Sequence, residues 1–515
     1  MTRKGLSRGS AGRGAQFGWS VPMKWKGDDP EIIILGSGLG GLVAGTLLSR
    51  GDHSVLLLKE SGYQRSHIEK GFRFVPFSSL SEKRFKPTFL QEVSQALNLP
   101  ILTGLQEEKR QARMDLDIQK QKVTFQVILP KARVDLYSEW SQFQKEWSRE
   151  FPKEVIQIEA FYQEIDSLRH LLMKMKIKEG SRSLFPLRPR SLIKRWSSFE
   201  RLRTGGIDER LSPLSREFRQ FIQLQLTSWG NLYPDQFPIA LAAYVLSSNE
   251  ESSELISGVD LEKLEEQILK EFFQSGGRVE EIERVERVGK KWRKGFLISL
   301  EGDRRVFRSK LLILNSPLHR LSKLMDGRGK RLSKWGKRIQ PRYILLPFFL
   351  GIREKVIPVG MRDLLISILD LEKPYDGGNL LLLTLSLKGD ESKAPEGRRA
   401  LTVESLVPLE KWDETSLVEH QKGVMKHLEH LFPFLDRYID FIDFSWASEQ
   451  VPRWSYPHFS YQTTSDFHWR EGVVPSRISR NLYFIGKENF PYMGLEGEVF
   501  SGLMVAEQIL QKYQS

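Results

Sequence analysis

Behind Glu31, the residues Ile32, Ile33, Ile34 and Leu35 form an unbroken apolar run. A run so short, with no alternation, predicts a strand buried on both faces of a parallel sheet. Gly36, Gly38, Gly40 and Gly41 follow, then Leu42, Val43, Ala44, Leu47 and Leu48 at the spacing of a sheet-packed helix. Ser54–Leu58 repeats the buried-strand pattern, so the order is strand, glycine turn, helix, strand. The pattern returns far along the chain. Leu482–Ile485 is a short apolar strand closed by Gly486, and Gly494 and Gly497 fall in a predicted loop. A helix is predicted from about Val499, with Leu503, Ala506, Ile509 and Leu510 on one face.

Between these ends, residues 343–350, 363–371 and 379–387 predict strands of a mixed sheet, and Glu410–Phe432 predicts a helix. That helix carries His420, His427 and His430, the last two one turn apart. No carboxylate motif accompanies them as it does on a metalloprotease helix, so they are read as a solvated face and no metal site is expected. Residues 1–29, rich in Gly, Ser, Arg and Lys, are expected to form a disordered basic arm.

A chain of 515 residues exceeds one ordinary core, which predicts two or more packed domains. It has no cysteine, which excludes disulfides, thiolate metal sites and cysteine nucleophiles. Charge changes the picture more. The net charge is +13, yet residues 169–203 alone carry a net +9 and residues 320–342 a net +8, leaving the remainder slightly acidic. Residues 184–203 interleave Leu192, Trp196, Phe199 and Leu202 with Arg and Lys, as an interfacial helix on anionic lipid would. A partly buried surface helix is the other reading of the same pattern. No RNA-recognition module is visible, and nucleic acid is not an expected partner. The uncharged stretch Ile32–Leu48 imitates a membrane anchor, but its 17 residues include five glycines and are better explained by the glycine turn.

That turn has the form G-x-G-x-x-G at Gly36, Gly38 and Gly41, after a buried strand and before an apolar helix. Gly36 permits the tight turn, Gly38 lets the backbone approach a pyrophosphate, and Gly41 allows helix to pack on strand. The helix N-terminus offers unpaired N–H groups and a positive dipole end, so the motif predicts dinucleotide binding, with Leu39 and Gly40 in its first turn. The acid that would bind the ribose closes the second strand in such units. Here Lys59 stands at that place and Glu60 follows, so Glu60 is the expected contact.

The pairing of residues 31–60 with 481–510 resembles the phytoene desaturase and carotenoid isomerase branch of the amine-oxidase-like FAD superfamily. Residues 71–79, 123–137, Gly276-Gly277 with Val279, and 311–317 extend the similarity more weakly over most of the chain. The resemblance implies an α/β fold: a Rossmann-like FAD-binding domain of the GR2 type, with a discontinuous α+β substrate domain built on a mixed sheet. Residues 30–95, 255–320 and 470–515 would form the first, and 96–254 and 321–469 the second, which would dock on the membrane. FAD would be held by Gly36, Gly38, Leu39, Gly40, Gly41, Glu60, Arg65 and Val279 on the ADP side. Gly486, Lys487, Glu488, Gly494, Gly497 and Val499 would lie near the flavin. Lys487 stands where that family usually has an acid, with Glu488 next, so the site is either shifted by one residue or weakened. No catalytic side chain is assigned. The implied activity is oxidoreduction of a hydrophobic polyene or lipid-like substrate, by desaturation or isomerisation, in a cytoplasmic protein peripheral to the membrane. A flavin amine oxidase and a flavin-fold protein without turnover are the alternatives.

Overall fold

The computed structural model describes residues 29–60, 66–76, 93–97, 99, 123–137, 139–177, 206–230, 237, 239–246, 261–291, 295–325, 329–411, 413–450, 459–463 and 473–514. The basic arm, Arg65 and the segment 184–203 lie outside these residues.

Strand β1 (Ile32–Leu35) runs at the centre of a six-stranded sheet, every residue buried, which is why its sequence does not alternate. Parallel to it lie β2 (Val55–Glu60) on one side and β11 (Leu311–Leu314) on the other. Beyond β2 comes β7 (Arg278–Ile282), and beyond β11 come β19 (Leu482–Phe484) and the antiparallel edge β18 (Arg477–Ser479). The sheet is thus assembled from three distant stretches of chain. Helix α1 (Leu39–Arg50) packs against α2 (Leu261–Gln274) and α5 (Gly494–Gln514). The last begins five residues earlier than the sequence predicts. Gly494 and Gly497 belong to its first turn rather than to a loop, because Gly494, at φ +56°, breaks the chain direction immediately before the helical bonds begin.

A three-stranded antiparallel sheet of β8 (Val285–Lys291), β9 (Gly295–Leu300) and β10 (Asp303–Ser309) is inserted between β7 and β11. The larger sheet has eight strands. Its order is β16 (Ile439–Asp443), β12 (Ile339–Arg353), β15 (Arg398–Pro408), β14 (Leu380–Leu385), β13 (Leu364–Ile368), β5 (Val123–Ile128) and β6 (Arg133–Tyr137), with β17 (Phe459–Thr463) also paired to β12. Pro347 interrupts the apolar run of β12 without breaking it. It falls between the stretch paired to β17 and the stretch paired to β16, where no second ladder among the described residues needs its missing N–H.

The register sorts this sheet into two faces. Phe348, Val403, Leu383 and Leu365 share one face, together with Ser367, and helix α4 (Glu414–Leu431) lies over it. Here the structure corrects the solvated-histidine expectation. His427 is fully buried, its Nε2 2.8 Å from Ser367 Oγ and its Nδ1 2.9 Å from the carbonyl of Gly378. His420 is buried beside the Phe348 ring, and His430 alone is exposed. Positions 420 and 427 are seven apart and so share the helix stripe that also holds Val424 and Leu428, which faces the sheet. Pro347, Phe349, Thr402, Glu404, Leu382 and Ile366 lie on the opposite face. Onto its edge docks the hairpin β3 (His67–Glu69) and β4 (Phe72–Phe74), with Phe74 4.9 Å from Phe349 and His67 3.1 Å from Asp443. A helical layer, Trp140–Glu150, Val155–Ile177 and Arg216–Trp229, is held by Phe143, Trp147, Tyr162, Phe218 and Phe221. These aromatics fill a core.

Candidate functional site

The site is built around the turn between β1 and α1. Gly36, at φ +109°, donates its N–H to the Leu58 carbonyl, and a Cβ there would lie 1.9 Å from the Asn315 carbonyl oxygen. No other residue fits. Gly38 caps α1 with no side-chain acceptor, and the first turn of the helix carries no acid of its own. Leu39, Gly40 and Gly41 are buried in that turn. Their glycines are needed for close approach of neighbours. A Cβ on Gly40 would meet the Glu498 carbonyl at 2.3 Å, and one on Gly502 would meet the Gly40 carbonyl at 2.2 Å, so α1 and α5 touch backbone to backbone. Gly41 makes room for the side chain of Asn315.

At the end of β2 the two candidate residues part company. Lys59 points outward and pairs with Glu281 at 3.2 Å on the exposed rim. Glu60 points inward and is buried; its carboxylate accepts the Val285 N–H at 2.8 Å and a two-pronged contact from the Arg320 guanidinium. Arg320 comes from α3 (Leu318–Leu324), directly after β11. Val279 sits half-buried on β7, opposite Leu57 of β2. Glu60 itself pairs with Ile282, so Val279 lies three positions earlier along the same ladder.

The carboxy-terminal residues close the far side. Gly486 follows β19 and donates its N–H to Asn489 Oδ1 at 2.8 Å; the same oxygen accepts from Ser501. Lys487 is buried. Glu488 is buried at 1% exposure and accepts the Leu318 N–H at 2.9 Å, while burial pushes its carboxyl pKa up. Gly497 lies against the Phe490 carbonyl, and Val499, two residues further along the same helix, is buried. Asn315, Glu498, Asn489, Arg320 and Gly502 are the functional residues that sequence reasoning passed over. Two left a signal: Asn315 ends an otherwise apolar strand, and Glu498 puts a charge among glycines and apolar residues. Among the described residues no group of His, Asp or Glu could hold a metal ion.

A model of the family described as flavin containing amine oxidoreductase matches residues 119–510. The chain belongs to this family. The chain is 22% identical to the prolycopene isomerase of Arabidopsis thaliana over 93% of its length and 82% of that protein. Its fold is similar to an oxidoreductase from Methanosarcina mazei, at 16% identity and a TM-score of 0.56, covering 93% of this chain and 100% of the other. A putrescine oxidase bound to putrescine gives a TM-score of 0.58 at 14% identity, covering 94% and 99%. Cyclohexylamine oxidase from Brevibacterium oxydans gives 0.56 at 13%, covering 95% and 100%.

The cofactor of this FAD-dependent oxidoreductase is FAD, and the frame of the site fits it. The glycine turn and the α1 N-terminus suit a pyrophosphate, Glu60 and Val279 an adenosine, and Gly486 with the start of α5 the flavin side. Two carboxylates of that frame are already engaged by the chain itself, Glu498 at the glycine turn and Glu60 at the end of β2.

Proposed function

We propose that the chain acts on a hydrophobic polyene or related lipid, desaturating or isomerising it, and that it takes this substrate from an anionic membrane surface. The likeness to prolycopene isomerase over 93% of the chain carries this reading. Two features support it. The face of the eight-stranded sheet that meets the β3–β4 hairpin carries Pro347, Phe349, Ile366 and Leu382 beside Thr402 and Glu404. The basic stretches 169–203 and 320–342 suit anionic headgroups, at which a lipid-soluble substrate would be met. FAD supplies the redox chemistry when bound; the chain's own residues orient an apolar substrate and exclude water. Apolar side chains bind without a fixed polar partner, so position would come from shape.

The test is incubation of the purified full-length protein with FAD and anionic liposomes loaded with a cis-polyene or a partly saturated polyene. Extracts are then separated by chromatography and weighed by mass spectrometry. Isomerisation gives a new peak of unchanged mass. Desaturation gives a product two hydrogens lighter and requires an added quinone. Unchanged polyenes beside peroxide-forming oxidation of a primary amine would sink the proposal.

A further inference from the structure

The N-terminus of α1 already holds an anion. Glu498, one turn into α5, is 2% exposed and reaches across to the glycine turn. Its Oε1 accepts the Gly40 N–H at 3.3 Å and the Asn315 Nδ2 amide at 3.3 Å, and lies 2.1 Å from where a Cβ on Gly38 would stand. Asn315 is fixed in turn by a 3.1 Å bond from Nδ2 to the Ile485 carbonyl. The open space that Gly38 creates for a close approach is thus used by the chain's own carboxylate. The ribose end shows the same pattern, since Glu60, the acid available to ribose hydroxyls, already accepts from Arg320 and Val285. Both halves of an ADP cradle are satisfied by protein groups, an acid in the place of phosphate and a guanidinium in the place of hydroxyl donors.

We propose that Glu498 sets the strength of FAD binding in this chain, as an internal carboxylate that competes with the pyrophosphate for the Gly40 N–H and the positive end of α1. The inference rests on the FAD reading of the site. A carboxylate and a phosphate cannot share one N–H, and at this depth two negative charges a few ångströms apart repel strongly. Bound FAD therefore requires the Glu498 side chain to swing away. In its absence the carboxylate caps α1 and keeps the turn preformed.

The experiment is titration of FAD into the full-length chain freed of flavin, for the wild type, Glu498→Ala and Glu498→Gln. Quenching of flavin fluorescence is followed, and retention of flavin through gel filtration is checked. Glu498→Gln keeps the shape and an oxygen for the Gly40 N–H, so it isolates the charge and covers the case in which Glu498→Ala does not fold. Both variants are expected to bind FAD at least tenfold more tightly than the wild type. Sodium pyrophosphate is expected to raise the thermal midpoint of Glu498→Gln more than that of the wild type. Equal FAD affinities in all folded proteins, or weaker binding in the variants, would overturn the inference while leaving the FAD reading in place. No binding by any of them would overturn both.

Discussion

Glu60 and Arg320 form an ion pair whose side chains are 3% and 13% exposed. Removing one partner of such a pair strands a charge out of water, and the cost of the stranded charge exceeds the value of the pair itself. Arg320→Ala is therefore expected to lower stability by about 3 kcal/mol. Arg320→Ala with Glu60→Gln, which removes the stranded charge, should recover part of that loss in urea unfolding. Equal losses in both proteins would show that the Arg320 stem matters and its charge does not. The buried histidines give a second prediction at this scale. Burial lowers His420 and His427 from 6.5 to about 4, because the neutral ring is the form that fits. The unfolded chain then binds more protons than the folded one between those values. Their contribution to stability is complete above pH 6.5 and is lost as the pH falls towards 4, at about 1.4 kcal/mol per unit for each. Urea midpoints measured from pH 7 to pH 4 should fall, and His427→Gln should flatten the curve as it lowers the stability at pH 7. An unchanged slope in that variant would remove His427 from the cause.

The contact between α1 and α5 turns on two glycines, and two effects oppose each other at Gly502. Alanine favours a helix interior over glycine by about 1 kcal/mol. Its methyl, however, would lie 2.2 Å from the Gly40 carbonyl, a backbone atom that cannot swing aside. Overpacking of that kind costs about 1–3 kcal/mol and should win. Gly502→Ala is expected to lower the thermal midpoint and weaken FAD, whereas Gly336→Ala, with nothing within 4 Å, should be neutral. The same contrast explains what was legible in the sequence at this scale. Buried strands such as β1 announce themselves by composition, and the glycine turn by spacing. Gly40 and Gly502 do not, because a close crossing of two helices depends on residues 462 positions apart. His420 and His427 are buried for a related reason: their stripe position beside Val424 and Leu428 outweighs the polarity of the ring, while His430, off that stripe, is exposed as the sequence predicts. Glu498 lay in plain view, but nothing local says that a side chain of the last helix reaches the first turn. Glu60 was legible as the contact beside Lys59, because only a carboxylate can accept hydrogen bonds there, but its engagement by Arg320 and Val285 was not.

Across the whole molecule the cofactor frame draws together β1 and α1, the β7–β11 stretch and the β19–α5 end, while the eight-stranded sheet is built from the chain between them. The β3–β4 hairpin packs on the eight-stranded sheet. Phe72 lies against Gly351 so closely that a Cβ there would meet its ring at 2.4 Å, and Phe74 stacks on Phe349. A ligand that binds only the folded chain stabilises whatever unfolds with its site, by about 2.7 kcal/mol at a hundred times its Kd. If the hairpin makes the sheets one unfolding unit, FAD should slow hydrogen exchange equally in peptides covering 32–60 and 398–408, although the second lies in the other sheet. Gly351→Leu tests that link directly. Its side chain would lift Phe72 from the sheet, and protection by FAD should then persist in 32–60 and fade in 398–408. Uniform protection in that variant would mean that the helical layer, and not the hairpin, carries the coupling.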